Sequence, residues 1–170
     1  PEGLSVIVTP LELALSGKSA LQGVSPLAGR GGERIADSRI TITDDPLLDR
    51  RPGSRPFDDE GVPSAPLALV TAGVLRAFVY DLETAARAGA RSTGHGQRGT
   101  FTKPGIEYSN LVVGAPGERG SLPGAGTRTL GGGLLAGITD GLLVDDLIGV
   151  GQGNVISGAF SHPVALAYRI

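Results

Sequence analysis

The chain has no cysteine, no methionine and no tryptophan among its 170 residues, and only two histidines. Without cysteine there is no disulfide framework and no thiolate metal site within these residues, which is compatible with a reducing compartment. Fifteen basic against seventeen acidic residues leave a formal charge of −2. That balance gives no electrostatic case for binding nucleic acid. The apolar runs are too short to cross a bilayer, and no basic segment followed by an apolar one opens the chain as a signal peptide would. The missing methionine leads us to expect a piece of a longer gene product, and no fold reading assumes natural ends.

Glycine is abundant, with 28 residues beside 12 prolines, against three tyrosines and four phenylalanines. Ordinary apolar content and low net charge argue against disorder, so the glycines and prolines are read as tight turns between short strands. Leu4–Val8 reads as a first strand closed by Pro10, and Leu11–Leu15 as a short helix with Gly17 at its C-terminal cap. Ile40–Thr43 alternates apolar and polar residues and ends at Asp44-Asp45-Pro46, as a half-buried strand would. Leu67–Val70 and Val74–Tyr80 flank Thr71-Ala72-Gly73, which predicts an antiparallel hairpin. Asp81 is placed to cap a helix over Leu82–Ala88, with Gly89 just past its end. Asn110–Val113 reads as a strand in an otherwise loop-like stretch. Leu130, Leu134, Ile138 and Leu142 fall four apart on one helical face, but three glycines sit in its first turns at about 1 kcal/mol each, so the helix is expected to start late. Leu142–Val144 then reads as a strand, with Asp145-Asp146 at its end in a solvated turn, and Val164–Ile170 alternates as a final strand. Together these predict one domain over residues 1–170, an α+β fold rich in strands, with mixed or antiparallel sheets and a few short helices.

The densest chemistry lies in Ser54–Pro63. There Asp58, Asp59 and Glu60 stand between Phe57 and Gly61-Val62-Pro63, so residue type shapes the backbone more than helical propensity does. Physics alone leaves a solvated acidic turn and a built site both open. Three carboxylates could supply a general acid and base only if their surroundings push their pKa values apart, which a sequence does not reveal.

Other patterns carry less. Gly94-His95-Gly96-Gln97-Arg98-Gly99 matches the spacing of a dinucleotide fingerprint, but that site needs a strand before it and a helix after it. Here a helix and a loop precede it and Phe101–Pro104 follows, so the cofactor reading is set aside. His95 and His162 could meet in space with Asp58 or Glu60 as a third zinc ligand; surface or hydrogen-bonded histidines are the favoured state. Ser161 beside His162 is no triad, because triad members face one another from different elements.

Taken together, Thr43-Asp44-Asp45-Pro46, Phe57–Pro63 and Ser92-Thr93-Gly94 resemble landmarks of the TldD/PmbA family, once called modulators of DNA gyrase and understood as metal-dependent peptidase subunits. Ser25–Gly29, Gly32-Glu33, Ile35-Ala36, Gly73-Val74-Leu75, Tyr80-Asp81, Ala85, Ser109-Asn110-Leu111, Gly141–Val144, Gly149, Gly151, Asn154, Gly158, Phe160 and Ser161 extend the resemblance across nearly the whole chain.

This resemblance implies the C-terminal portion of a cytoplasmic, dimeric peptidase subunit of bacteria or archaea. In the TldD type a helix bearing His-Glu-x-x-x-His supplies two zinc ligands and a base. The corresponding region here, Val8–Leu13, has no histidine, and Glu12 alone cannot hold a metal. The family's third ligand, a cysteine, lies beyond the last strand. The resemblance is therefore to the PmbA (TldE) type, with no catalytic or metal-ligating residue in this chain and zinc left to a partner or to the full-length protein. The implied partners are a TldD-like subunit or a second copy, and unfolded peptide. Phe57, Asp58, Asp59, Glu60, Gly61, Val62 and Pro63 are the expected peptide- or partner-binding residues. Two alternatives stay open: an active TldD-type subunit whose catalytic helix lies outside this sequence, and a structural assembly module.

Overall fold

The computed structural model describes residues 5–114, 138–149, 154, 159 and 161–170. The fold is α+β, with antiparallel sheets and a few short helices. The chain forms two compact units, Glu12–Gly120 and a smaller one made of Pro1–Leu11 with Ser121–Ile170.

The first element is a helix where a strand was expected: α1 runs over Ser5–Leu15 and contains Pro10. The β-branched residues Val6, Ile7 and Val8 favour a strand only where a neighbour gives them a pleated surface, and β-propensity yields to context in this way. Leu11, Ala14 and Leu15 keep helical spacing, and Ala14 and Leu15 are buried. Gly17 does not cap this helix; it opens α2, Gly17–Leu21. A Cβ there would lie 2.2 Å from the Tyr80 ring, so the residue must be small for backbone and ring to meet.

In the larger unit, β1 (Thr41–Asp44), β2 (Leu67–Thr71), β3 (Val74–Leu75) and β6 (Leu111–Gly114) form one antiparallel sheet in the order β3-β2-β1-β6. The β1–β2 register shifts between Ile42 and Thr43, because Ile42 faces Val70 while Thr43 faces Ala68. Leu69 is the extra residue of this bulge, and Leu69 and Val70 are therefore both fully buried despite adjacent positions. The hairpin β2–β3 forms as expected, with Ala72 and Gly73 as its two loop residues. Its second strand is only two residues long, because Arg76 leaves the ladder to bond the Leu69 carbonyl at 2.8 Å.

Helix α3 (Leu82–Ala88) has the expected ends. Asp81 and Thr84 form a reciprocal capping box, and Gly89 closes the helix in the left-handed conformation. It packs against α2. A second, two-stranded ladder pairs β4 (Gly96–Gln97) with β5 (Gly105–Ile106). The segment following Gly94 is thus a hairpin and not a strand-to-helix turn.

In the smaller unit, β7 (Leu142–Leu147) pairs with β8 (Val164–Arg169). Asp145 and Asp146 lie inside β7, not in a turn after it. The ladder skips from Val144 to Asp146, which leaves Asp145 as the unpaired, exposed residue of a bulge. The helical reading of Leu130–Leu142 lies largely outside the described residues; Ile138 is not helical and Leu142 opens β7. Among the described residues, no helix is long and apolar enough to cross a membrane.

Candidate functional site

The acidic loop folds around its own first carboxylate. Asp58 is 1% exposed. Its Oδ1 accepts the N–H of Glu60 at 3.0 Å and of Val62 at 2.8 Å, and its Oδ2 accepts the N–H of Gly96 at 2.9 Å. The Asp58 N–H donates to the Val62 carbonyl at 3.0 Å, and Phe57 and Pro63 form a bridge that closes the loop. Gly61 has φ +79°, the left-handed conformation that the reversal requires. Asp59 and Glu60 also turn to backbone donors: Asp59 Oδ2 accepts the Arg98 N–H at 2.7 Å, and Glu60 Oε2 accepts the Leu82 N–H at 2.7 Å at the start of α3. Each carboxylate therefore satisfies amide groups that would otherwise be unpaired. What the loop offers outward is Phe57, 61% exposed, with Asp59, Gly61 and Pro63.

The segment that seats this loop carries a buried histidine–carboxylate pair on its other side. Gly96 bonds the loop through both its N–H and its carbonyl, the latter accepting from Asp59 at 2.9 Å. His95 beside it reaches inward, and its Nε2 lies 2.9 Å from Asp44 Oδ2. Asp44 also accepts the Ser109 N–H at 3.0 Å and the Ser109 hydroxyl at 2.6 Å. His95 Nδ1 lies 2.8 Å from Thr93 Oγ1, which itself accepts the Tyr80 N–H at 2.8 Å. Nδ1 also lies 2.9 Å from the Thr93 carbonyl, and the Thr93 hydroxyl donates to the Tyr80 carbonyl at 3.1 Å, so both ring nitrogens are held within the protein. Burial pushes Asp44 up, but the hydrogen bonds from His95 and Ser109 outweigh it and hold the carboxyl below its ordinary value.

Tyr108 stands edge-on to the His95 ring at 6.1 Å and donates its hydroxyl to the Glu12 carbonyl at 2.8 Å. Burial, with the nearby Glu12 and Asp44 charges, raises its pKa well above that of a free tyrosine. Burial and the Asp44 charge also raise Glu12.

Asn110 completes the cluster. Its side chain donates to the Asp45 carbonyl at 2.9 Å and accepts the Gly53 N–H at 3.2 Å. The stretches singled out in the sequence at Asp44-Asp45, Phe57–Pro63, Ser92-Thr93-Gly94 and Ser109-Asn110 thus converge in one hydrogen-bonded region.

The family described as the PmbA/TldA metallopeptidase C-terminal domain matches residues 1–170. The chain belongs to this TldD/PmbA family. A metalloprotease of Archaeoglobus fulgidus is 43% identical over 100 residues, which cover 59% of this chain and 23% of that protein. Among solved structures, TldE from Thermococcus kodakarensis is 34% identical with a TM-score of 0.66, covering 80% of this chain and 28% of its own. A Thermotoga maritima protein solved under the name of a DNA gyrase modulator is 31% identical with a TM-score of 0.72, over 93% of this chain and 33% of its own. The chain therefore spans about a quarter to a third of the length of these relatives.

A TldD/PmbA metallopeptidase implies zinc, and the described residues do not fit it. Val8–Leu13 in α1 contains no histidine. Both nitrogens of His95 are engaged within the protein, and Asp58 is taken up by backbone amides and not by a histidine. Among the described residues no group of three His, Cys, Asp or Glu side chains could hold a metal ion. The pairing of His95 with Asp44 went unforeseen in the sequence. One signal for it was there: Asp44 shares the inward parity of Ile42 along β1, and a carboxylate on an inward face needs a partner.

Proposed function

We propose that this chain is part of a PmbA/TldE-like subunit of a two-subunit metal-dependent peptidase, lacking a zinc of its own and helping to hold unfolded peptide. The observation that carries the reading is the absence of a metal-ligand set among the described residues, joined to the likeness to a TldE structure. The outer face of Phe57–Pro63, with Phe57 exposed, is the surface offered to peptide or to the partner subunit. Strand β6 pairs only with β1 among the described residues, and a peptide could add to such an edge through main-chain hydrogen bonds that tolerate many sequences. We place the working subunit in the cytoplasm, paired with a TldD-like subunit or with a second copy. Zinc analysis of the full-length protein tests this. Less than a tenth of a zinc per subunit is expected; one tightly bound zinc per subunit, lost together with peptidase activity on chelation, would overturn it.

The name of the Archaeoglobus relative favours a second reading, an active metallopeptidase subunit whose ligands lie outside the described residues. A His-Glu-x-x-x-His sequence in the full-length protein outside residues 1–170 would decide for it. The bonds of these carboxylates to backbone amides favour a third, a structural assembly module. Replacing Asp58, Asp59 and Glu60 by alanine with unchanged peptide cleavage by the assembled complex would support that.

A further inference from the structure

Among the described arginines only Arg30 and Arg55 are part-buried. Arg30 pairs with Glu33 at 2.8 Å. Arg55 has no ion-pair partner among the described residues. Its guanidinium meets only neutral acceptors at the far limit of hydrogen bonding: Gln97 Oε1 at 3.4 Å, and the Gly94 and Glu107 carbonyls at 3.5 Å each. Its Nε is buried with no acceptor at all, and so is the hydroxyl of Ser64.

The backbones that carry these two groups run close to one another. Ser64 Cα lies 3.6 Å from where a Cβ on Gly94 would stand, and Gly94 is the residue whose carbonyl Arg55 approaches. They occupy the two stems of the acidic loop, which are joined by the Ser64 N–H donating to the Pro56 carbonyl at 3.0 Å. A guanidinium carries five donors and no acceptor, and when partly withdrawn from water it is matched best by a carboxylate, which takes two parallel bonds. Buried polar atoms without partners in a native structure call for an explanation. A carboxylate would match such donors, and the exposed Phe57 ring follows Arg55 two positions along the chain.

We propose that Arg55, with Ser64 beside it, is the carboxylate-receiving subsite of the Phe57–Pro63 loop, taking a peptide's C-terminal carboxylate or an acidic side chain while Phe57 meets the adjoining apolar residue. This rests on the reading of that loop as a peptide surface. It narrows the substrate class from any unfolded peptide to one with a carboxylate next to an apolar side chain. A purely architectural Arg55, tying the Pro46, Gly94 and Glu107 segments together, would give no such preference.

Two measurements on the full-length protein test it. In the first, the Nε–Hε NMR signal of Arg55 is followed on adding N-acetylglycine or N-acetylglycinamide; the acid is expected to shift it and the amide to leave it in place. In the second, fluorescence anisotropy compares one apolar peptide as its free acid, as its C-terminal amide, and as the amide with one internal aspartate. A charge-assisted bond of this kind is expected to favour the carboxylate form by about tenfold. The two acidic peptides distinguish a terminal from a side-chain carboxylate. Arg55→Gln is expected to erase the preference and Arg55→Lys to keep part of it, with melting temperatures recorded for each. An Nε–Hε signal unmoved by N-acetylglycine overturns the proposal, as does a preference that survives Arg55→Gln. Equal binding of acid and amide peptides removes the subsite but leaves the peptide surface standing. A shift with N-acetylglycine and no binding of any peptide removes the peptide surface and leaves the carboxylate site.

Discussion

His95 Nε2 and Asp44 Oδ2 lie 2.9 Å apart although the residues are separated by 51 positions, and their side chains are 1% and 0% exposed. A hydrogen-bonded pair this deep is costly to break from one side, because the surviving group is left without its partner. Asp44→Ala and His95→Ala should each lower stability by about 3 kcal/mol. The double variant should lose clearly less than the sum. Urea unfolding of the four proteins checks this, and additive losses would show that the two side chains do not act as a pair.

Acid should act on Asp44 and Glu12 with opposite sign. Asp44 titrates below its ordinary value in the folded chain, so its stabilisation is complete above the usual carboxylate range and is lost as pH falls through the lower folded value. Glu12 is raised, so the folded chain favours its protonated form and bears a cost at neutral pH that disappears in acid. Glu12→Gln should therefore stabilise the protein at pH 7, with the advantage fading as pH falls through the raised folded value and gone below the ordinary value of 4.5. Thermal melting of both proteins across that range measures it, and an advantage independent of pH would contradict the electrostatic account.

Asp58 holds three backbone amides, and alanine would leave all three without an acceptor. Each such loss costs about 1–3 kcal/mol where water cannot substitute. Hydrogen exchange at Glu60, Val62 and Gly96 should accelerate at least tenfold in Asp58→Ala, a change of about 1.4 kcal/mol. The β1–β2 amides should change less. Unchanged protection at those three amides would mean that the carboxylate does not order the loop.

Ala72 has φ 48° and Gly73 φ 77°. Two positive values at a two-residue hairpin loop are the pattern of a type I′ turn, which asparagine followed by glycine suits best. Ala72→Asn should stabilise by about 0.5 kcal/mol, since asparagine tolerates the left-handed region better than alanine does. Gly73→Ala should destabilise by 1 kcal/mol or more (roughly) on strain alone. Its Cβ would also lie 2.2 Å from the Ala36 carbonyl oxygen. Chemical denaturation of the two variants gives both signs, and a neutral Gly73→Ala would contradict this geometry.

Elements defined by their own neighbours could be read directly. The α3 caps at Asp81 and Gly89 and the hairpin around Ala72-Gly73 follow from residue type at fixed offsets, and they form as expected. Val6–Val8 misled because β-branched residues record a preference for a packed surface, and here helical spacing of Leu11, Ala14 and Leu15 prevailed. Asp145 was misplaced because a bulge depends on the facing strand and leaves no local signature.

The same division runs through the site. Residue order by itself determined the family landmarks, an acidic loop between Phe57 and Pro63, and the lack of histidine in Val8–Leu13, since each is a property of residue type and spacing. Only the tertiary structure decided that Asp58, Asp59 and Glu60 bond backbone amides, that Asp44 is the partner of His95, and that no carboxylate among the described residues pairs with Arg55. The direction of a carboxylate or a guanidinium is fixed by which distant donor or acceptor is brought to it once water is excluded, and chain distance carries no record of that.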